Sequence, residues 1–385
     1  MTRVPATMQS RVSRRQDLAD RGLHSASRIS ASATDKERKT TMTIYEADGV
    51  FQGGGVKGLA LVGALLEFAD IKHHPDIQVK NWTKVAGTSA GAIIAAYLAC
   101  GHDAARTYEL IQEAPYPSFQ DCGPAGKIIG GAVNLMRHHG LYHGTVFRDW
   151  FDEAIERQTF GDIRRAGRTL KLIAADITRR EMLVLPGALK YYRDPHTHRP
   201  IDPDEYRVAD AVRMSMSIPY FFKPMELVHH ESGQPSTIVD GGVLSNFPVW
   251  LFDVEDRDPV RPTFGFRLID GKGVRGRLGW LINNLGWTAR MAANIFCTAT
   301  DAWDRHFLSR ATLVRTCTVS AGEIGTTDFN LTKGQKQWLL DSGRGAASKF
   351  LAGWSPEEYV NRHGRQLASA AGDRHLVTAV VKAAA

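Results

Sequence analysis

Apolar positions change rhythm several times along the chain. A short, largely apolar stretch from Ala47 to Phe51 runs into Gly53-Gly54-Gly55-Val56-Lys57-Gly58, after which Leu59, Leu61, Val62, Leu65, Leu66 and Phe68 recur at helical spacing. That order reads as strand, glycine turn, helix. The same grammar follows at once: Trp82–Ala86 as a short strand, Gly87-Thr88-Ser89-Ala90-Gly91 as a tight turn, and Ala92–Cys100 as an apolar helix closed by Gly101 in the C′ position. Strands that are apolar without alternation are buried on both faces. The pattern therefore predicts an α/β domain with a mostly parallel central sheet and helices on both faces.

Further strands are expected at Leu170–Ala175, Met182–Leu185, Thr237–Val239, Thr263–Ile269 and Thr312–Val319. Helices are expected at Val146–Arg157, Val208–Met216, Gly279–Thr300 and Lys333–Phe350. Between Pro115 and Gly144 a stretch rich in Gly, Pro and His has an apolar middle (Ile128, Ile129, Val133, Leu135, Met136) and reads as a cap or lid. No repeat or linker divides the body. The expected division is a basic disordered tail over 1–43, a catalytic core over 44–270, and a C-terminal extension of helices and strand over 271–385 packed on the same domain. The most apolar long segment, Leu278–Thr300, carries Asn283, Asn284, Arg290 and Asn294 and is unsuited to a bilayer core. Its Trp280 and Trp287 beside Leu281, Leu285 and Ile295 would suit an interfacial helix, but a core-packed helix is the preferred reading.

Charge narrows the partners. The net charge is +7, and residues 1–40 hold nine Lys/Arg against four acids, so most of the excess lies in the tail. A nearly balanced body is not the clustered basic face of a nucleic-acid-binding domain. The N-terminus lacks an apolar h-region, so no secretory signal peptide is expected. The tail reads as disordered, or as an over-extended start with Met42 as initiator. A cytoplasmic protein with peripheral contact at membranes is the expectation. Cys100, Cys122, Cys297 and Cys317 are scattered, with no CxxC pair and no zinc-ligand spacing; Cys100 and Cys297 read as small buried hydrophobes.

The sharpest chemical signal is Gly87-x-Ser89-x-Gly91. A serine on a strained turn between strand and helix is forced outward, and its flanking glycines avoid collisions with the neighbouring backbone. The helix N-terminus behind it favours an oxyanion. The first glycine turn fits GxGxxG but lacks the Gly-Lys-Ser/Thr of a P-loop. A dinucleotide fingerprint would place its acid near Asp76, where His73-His74-Pro75 breaks the expected strand. The remaining reading makes these glycines N–H donors around an anionic intermediate, by the same physics as phosphate binding. Because a nucleophile-like serine follows at the end of the next strand, the oxyanion reading is preferred.

A serine needs a base. None of the fourteen histidines has an obvious triad context: His138, His139 and His143 fall in the lid stretch, His196 and His198 in a polar loop, His229 and His230 beside a turn. The carboxylate candidate is Asp240, which ends the strand Thr237–Val239 and precedes Gly241-Gly242, placing it at the carboxyl edge of a sheet.

Taken together, these residues resemble the patatin-like phospholipase family. Gly53-Gly54-Gly55-Val56-Lys57-Gly58, the elbow Gly87-Thr88-Ser89-Ala90-Gly91 and Asp240-Gly241-Gly242 match its three signature blocks in order. Ala175-Asp176-Ile177-Thr178, Ala211–Pro219 and Ser245-Asn246-Phe247-Pro248 resemble its bacterial branch, and the likeness runs from about residue 46 to about 270, more weakly to about 350. The resemblance implies a Ser–Asp dyad hydrolase of phospholipid or other acyl lipid, with no cofactor and no metal. Carried onto this chain, it makes Ser89 the nucleophile, Asp240 the base, and the N–H groups around Gly53, Gly54 and Gly55 the oxyanion hole. Gly58, Gly87, Gly91, Gly241 and Gly242 support the motifs. Two other readings stay open. One is a Ser–His–Asp α/β-hydrolase recruiting His306, His363 or His375; the other is a non-catalytic lipid- or nucleotide-binding module.

Overall fold

A computed structural model describes residues 44–70, 77–119, 121, 140–253, 261–269, 310–326, 328 and 330–361. The expected tail, most of the lid stretch, the Gly279–Thr300 helix, Asp76, Cys122, Cys297 and the histidines at 306, 363 and 375 lie outside these residues. Residues 42–385 group into one compact unit.

Among the described residues, a nine-stranded sheet forms the frame. Its strands are β1 (Ile44–Phe51), β2 (Ile77–Thr88), β4 (Thr169–Asp176), β5 (Glu181–Leu185), β6 (Tyr192–Arg193), β8 (Met225–His229), β9 (Pro235–Asp240), β10 (Thr263–Ile269) and β11 (Thr316–Ser320). The order is β11-β10-β1-β2-β4-β9-β8-β6, with β5 paired to β4. The β11-β10-β1-β2-β4 half is parallel throughout. The β9, β8 and β6 pairings and the β4–β5 hairpin are antiparallel. A separate parallel pair joins β3 (Gly140–Tyr142) to β7 (Tyr220–Phe222).

Helices α1 (Gly58–Ala69) and α2 (Ala90–Ala99) follow β1 and β2 and are buried along almost their whole length. Such helices are hydrophobic all round because they lie between the sheet and other elements. Around them stand α3 (Ala104–Glu113), α4 (Thr145–Ala154), α5 (Phe160–Arg165), α6 (Val208–Ser215), α7 (Arg310–Val314) and α8 (Lys333–Gly353). Helix α8 crosses α1 at backbone contact distance: a Cβ on Gly63 would strike the Leu340 carbonyl, and one on Gly343 the Ala60 carbonyl. Beneath α1, Phe51 stacks on Phe266 at 4.8 Å, and Phe68 meets Phe264 and Phe266 edge-on at 5.0 Å.

The expected elements that fall among the described residues appear with informative differences. Strand β2 begins at Ile77, well before Trp82: Ile77 and Val79 are buried, but the register against β1 shifts before Asn81 and the polar Lys80 and Asn81 interrupt the apolar pattern. The stretch read as one strand from Thr312 is divided: Arg310–Val314 is helical, and the strand begins at Thr316, whose hydroxyl donates to the Thr312 carbonyl at 2.6 Å. The polar helix α3, capped by Asp103 accepting from the Arg106 N–H at 2.8 Å, had too little apolar stripe to be read. Of the expected buried cysteines, Cys100 is half-buried and packs on the core.

Candidate active site

The two glycine turns lie side by side because β1 and β2 are parallel neighbours, with Phe51 opposite Gly87. At the elbow Ser89 adopts φ +53°, a left-handed conformation that a side chain rarely takes. Its neighbours explain the glycines. A Cβ on Gly87 would strike the Gly91 carbonyl, and one on Gly91 would strike the Phe51 carbonyl. A Cβ added to Gly58 would come within 3.4 Å of the Ala90 Cβ, so the two turns share one wall.

Register brings Asp240 to the serine. Thr88 lies opposite Ile173 across β2 and β4, and Ala174 lies opposite Asp240 across β4 and β9. Ser89 and Asp240 thus stand at one level, two strands apart. The sequence placed Asp240 at the carboxyl edge as if its strand ran with the others. In fact β9 runs antiparallel to β4, and Asp240 sits two residues inside that edge, opposite Ala174 and not Asp176.

The Ser89 hydroxyl acts on the Asp240 carboxyl, drawing it toward its ionised form. The Gly242 N–H donates to Asp240 Oδ1 at 2.7 Å. Asp240 is 4% exposed and Ser89 6%. Burial pushes the Asp240 carboxyl up to about 7, with the serine hydroxyl and the Gly242 N–H opposing that rise. A carboxylate buried with only these donors is a far better proton acceptor than a solvated one.

The first glycine turn offers fewer donors than the sequence suggested. The Gly53 N–H is spent on the Asn246 carbonyl at 3.1 Å, so Gly53 drops out of the expected set. Val56 donates to the Thr326 carbonyl at 3.1 Å and Lys57 to Gly54 at 3.2 Å. Among the described residues, the Gly54 and Gly55 N–H groups have no acceptor. Gly55 holds φ +56°, and a Cβ there would strike the Thr326 carbonyl; a Cβ on Gly54 would meet only the end of the Leu268 side chain.

Three residues that hold this arrangement were not singled out for chemistry by the sequence. Asn246 closes a two-way clamp, its Nδ2 donating to the Gly53 carbonyl at 3.2 Å. Thr326 presses on the turn from the C-terminal region. Ser215 accepts the Ser89 N–H at 3.0 Å. Asn246 and Ser215 fall in stretches quoted above for their likeness to the bacterial branch, which was the available signal. Thr326 had none.

Ser89, Gly55 and Gly58 open on a pocket of about 620 Å³, mouth included, lined otherwise by apolar or aromatic groups such as Ile93, Phe119, Phe147, Trp150, Met216 and Phe222. Phe119 meets Phe147 edge-on at 5.3 Å and Trp150 at 5.2 Å, giving one wall an aromatic lining. Among the described residues no group of three or more His, Cys, Asp or Glu is placed to hold a metal, and no helix is long and apolar enough to cross a membrane.

This geometry accords with the comparisons. The patatin-like phospholipase family model matches residues 49–253, slightly more than half of the chain. The chain belongs to that family. Membership places it among the lipid-acting hydrolases. It is 36% identical over 315 residues to the Uncharacterized protein YqhO of Bacillus subtilis (strain 168), spanning 80% of this chain and 99% of that one. It is 27% identical over 205 residues to the cUMP-AMP-activated phospholipase of Escherichia coli, spanning 53% of this chain and 56% of that one. The crystal structure of VipD from Legionella pneumophila aligns with a TM-score of 0.46 at 17% identity, over 80% of this chain and 67% of that one. That likeness is too distant to bear on the chemistry.

Proposed function

We propose that this patatin-like protein is a lipid acyl hydrolase of the phospholipase A type, working through a Ser89–Asp240 dyad and an acyl-serine intermediate. One observation carries the reading: Ser89, on a strained turn in the wall of an apolar pocket, stands level with the buried Asp240 carboxyl two strands away. Asp240 takes the hydroxyl proton as the serine oxygen attacks the ester carbonyl. The oxyanion that forms is met by the Gly54 and Gly55 N–H groups, which are oriented before the reaction and cost no reorganisation. The protonated Asp240 then gives its proton to the departing alcohol or lysophospholipid, and the acyl group stays on Ser89. Water enters, loses a proton to Asp240, and attacks the acyl-serine; collapse releases the fatty acid, and the proton returns to Ser89. The apolar pocket holds the acyl chain throughout. Peripheral contact with a lipid surface would bring substrate to its mouth.

The groups that act on the Asp240 carboxyl are the Ser89 hydroxyl and the Gly242 N–H, with no imidazole among them, which supports a base that needs no histidine. The test is covalent labelling with a fluorophosphonate, together with mass spectrometry of a lipid extract incubated with the protein. Labelling and fatty-acid release that vanish in Ser89→Ala and in Asp240→Asn support the dyad. Loss of activity on replacing His306, His363 or His375 would transfer the base to histidine. Absence of labelling in the native chain would leave a binding module.

A further inference from the structure

We propose that Ser215 and Ser217, at the end of α6, are positioning residues that hold the main chain of Ser89 and Asp240 at one fixed separation. The inference rests on the dyad reading and concerns a part of the chain that touches neither reacting atom.

Ser215 is completely buried. Its Oγ accepts the Ser89 N–H at 3.0 Å and donates to the Ile173 carbonyl at 2.6 Å. Ile173 lies on β4, the strand between the one carrying Ser89 and the one carrying Asp240. A hydroxyl is the small side-chain group that accepts one hydrogen bond and donates another from a single atom. Here it links the strained nucleophile turn to the central strand. Alanine would leave a donor and an acceptor unpaired beside the nucleophile.

Ser217 performs the matching task for the base. Its carbonyl accepts the Asp240 N–H at 2.9 Å. Its own side chain is held from within α6: Oγ donates to the Arg213 carbonyl at 2.9 Å and accepts from Arg213 Nη1 at 2.6 Å. Arg213 is itself buried, and its Nη2 donates to the His143 carbonyl at 2.6 Å and the Lys223 carbonyl at 2.8 Å. Two residues one position apart, Ser215 and Ser217, therefore reach the backbone of both dyad members. The residues between and after the two serines, Met216 and Ile218, line the pocket instead. Alternation along one short segment thus gives one set of side chains to the dyad scaffold and the other to the pocket wall.

The test is steady-state hydrolysis of a short p-nitrophenyl ester by the full chain, with rates divided by the number of sites titrated by a fluorophosphonate. Partial unfolding lowers the number of titrated sites but not the rate per site. Ser215→Ala is expected to lose on the order of 10²-fold in kcat per site, as a misplaced catalytic group does, with KM changed less than about threefold. Ser217→Ala is expected to lose about tenfold, since only the support behind its carbonyl is removed. A kcat per site within about twofold of the native value in whichever of the two variants melts cooperatively overturns the proposal. Ser89→Ala is measured alongside. If it retains turnover, the dyad reading fails; if it is inactive while Ser215→Ala and Ser217→Ala are both unimpaired, the positioning role alone fails.

Discussion

Asp48 and Asp240 are both buried carboxylates on this sheet, and their surroundings are opposite. Asp48 lies midway along β1, where the Arg261 guanidinium approaches to 3.6 Å and the Lys84 N–H donates at 3.0 Å. Burial raises its carboxyl to about 6 against the pull of both cations. Asp240 ends β9 beside the elbow turn, and burial pushes it up to about 7 with only the Ser89 hydroxyl and the Gly242 N–H in opposition. Burial alone does not make a base. What distinguishes Asp240 is that the donor facing it is a serine hydroxyl able to give up its proton, whereas Asp48 is occupied by groups that neutralise it and keep theirs.

Replacing each carboxylate by its amide breaks this comparison most sharply. Asp240→Asn is expected to lower kcat by about 10⁴-fold or more, as loss of a catalytic acid does in serine hydrolases. Asp48→Asn is expected to leave kcat per titrated site within about twofold. Equal losses in both would mean that buried charge of either kind merely supports the fold.

The two neighbouring turn glycines come next. Gly55→Ala forces a side chain into a left-handed position and against the Thr326 carbonyl, so one N–H donor is displaced. A loss of on the order of 10²–10³ in kcat is expected, as when one oxyanion donor is removed. Gly54→Ala meets only a movable leucine tip and should cost about tenfold or less. Reversal of that order in steady-state assays would move the oxyanion site away from these amides.

A pH profile sharpens the contrast between the carboxylates. The base must be ionised, so kcat/KM is expected to rise about tenfold per pH unit and level off above about 7. The limb should be unchanged in Asp48→Asn. The smallest effect is on stability. A carboxyl raised in the folded state binds a proton there that the unfolded chain has released, so stability falls as pH rises from about 4 through about 7. Asp240→Asn should therefore melt a few degrees above the native protein at pH 8, with little or no advantage at pH 4. An equal advantage at both pH values would show that the carboxylate is not strained by burial.

Much of the catalytic turn chemistry was legible before the fold. Gly87, Gly91 and the turn at Gly53–Gly58 were readable because steric exclusion acts over a few residues of chain and leaves glycine at fixed offsets. Strand β1 and helices α1 and α2 were readable because continuous apolar runs have few alternatives to burial. Helix α3 and the first half of β2 were harder, since half-exposed elements carry mixed patterns that local periodicity resolves poorly. The loss of Gly53 as a donor was invisible, because its N–H is claimed by Asn246, which is distant in the chain.

The sequence by itself determined which chemistry was available: an outward serine, a turn of bare amides, and an aspartate followed by two glycines. Tertiary structure alone decided that the strand bearing Asp240 runs against its neighbour, that two amides and not three remain open, and that Ser215, Asn246 and Thr326 brace the turns. The reason is range. Turn sterics are settled between adjacent residues, whereas strand direction, burial and the ownership of each hydrogen bond depend on partners that meet only when the sheet has assembled.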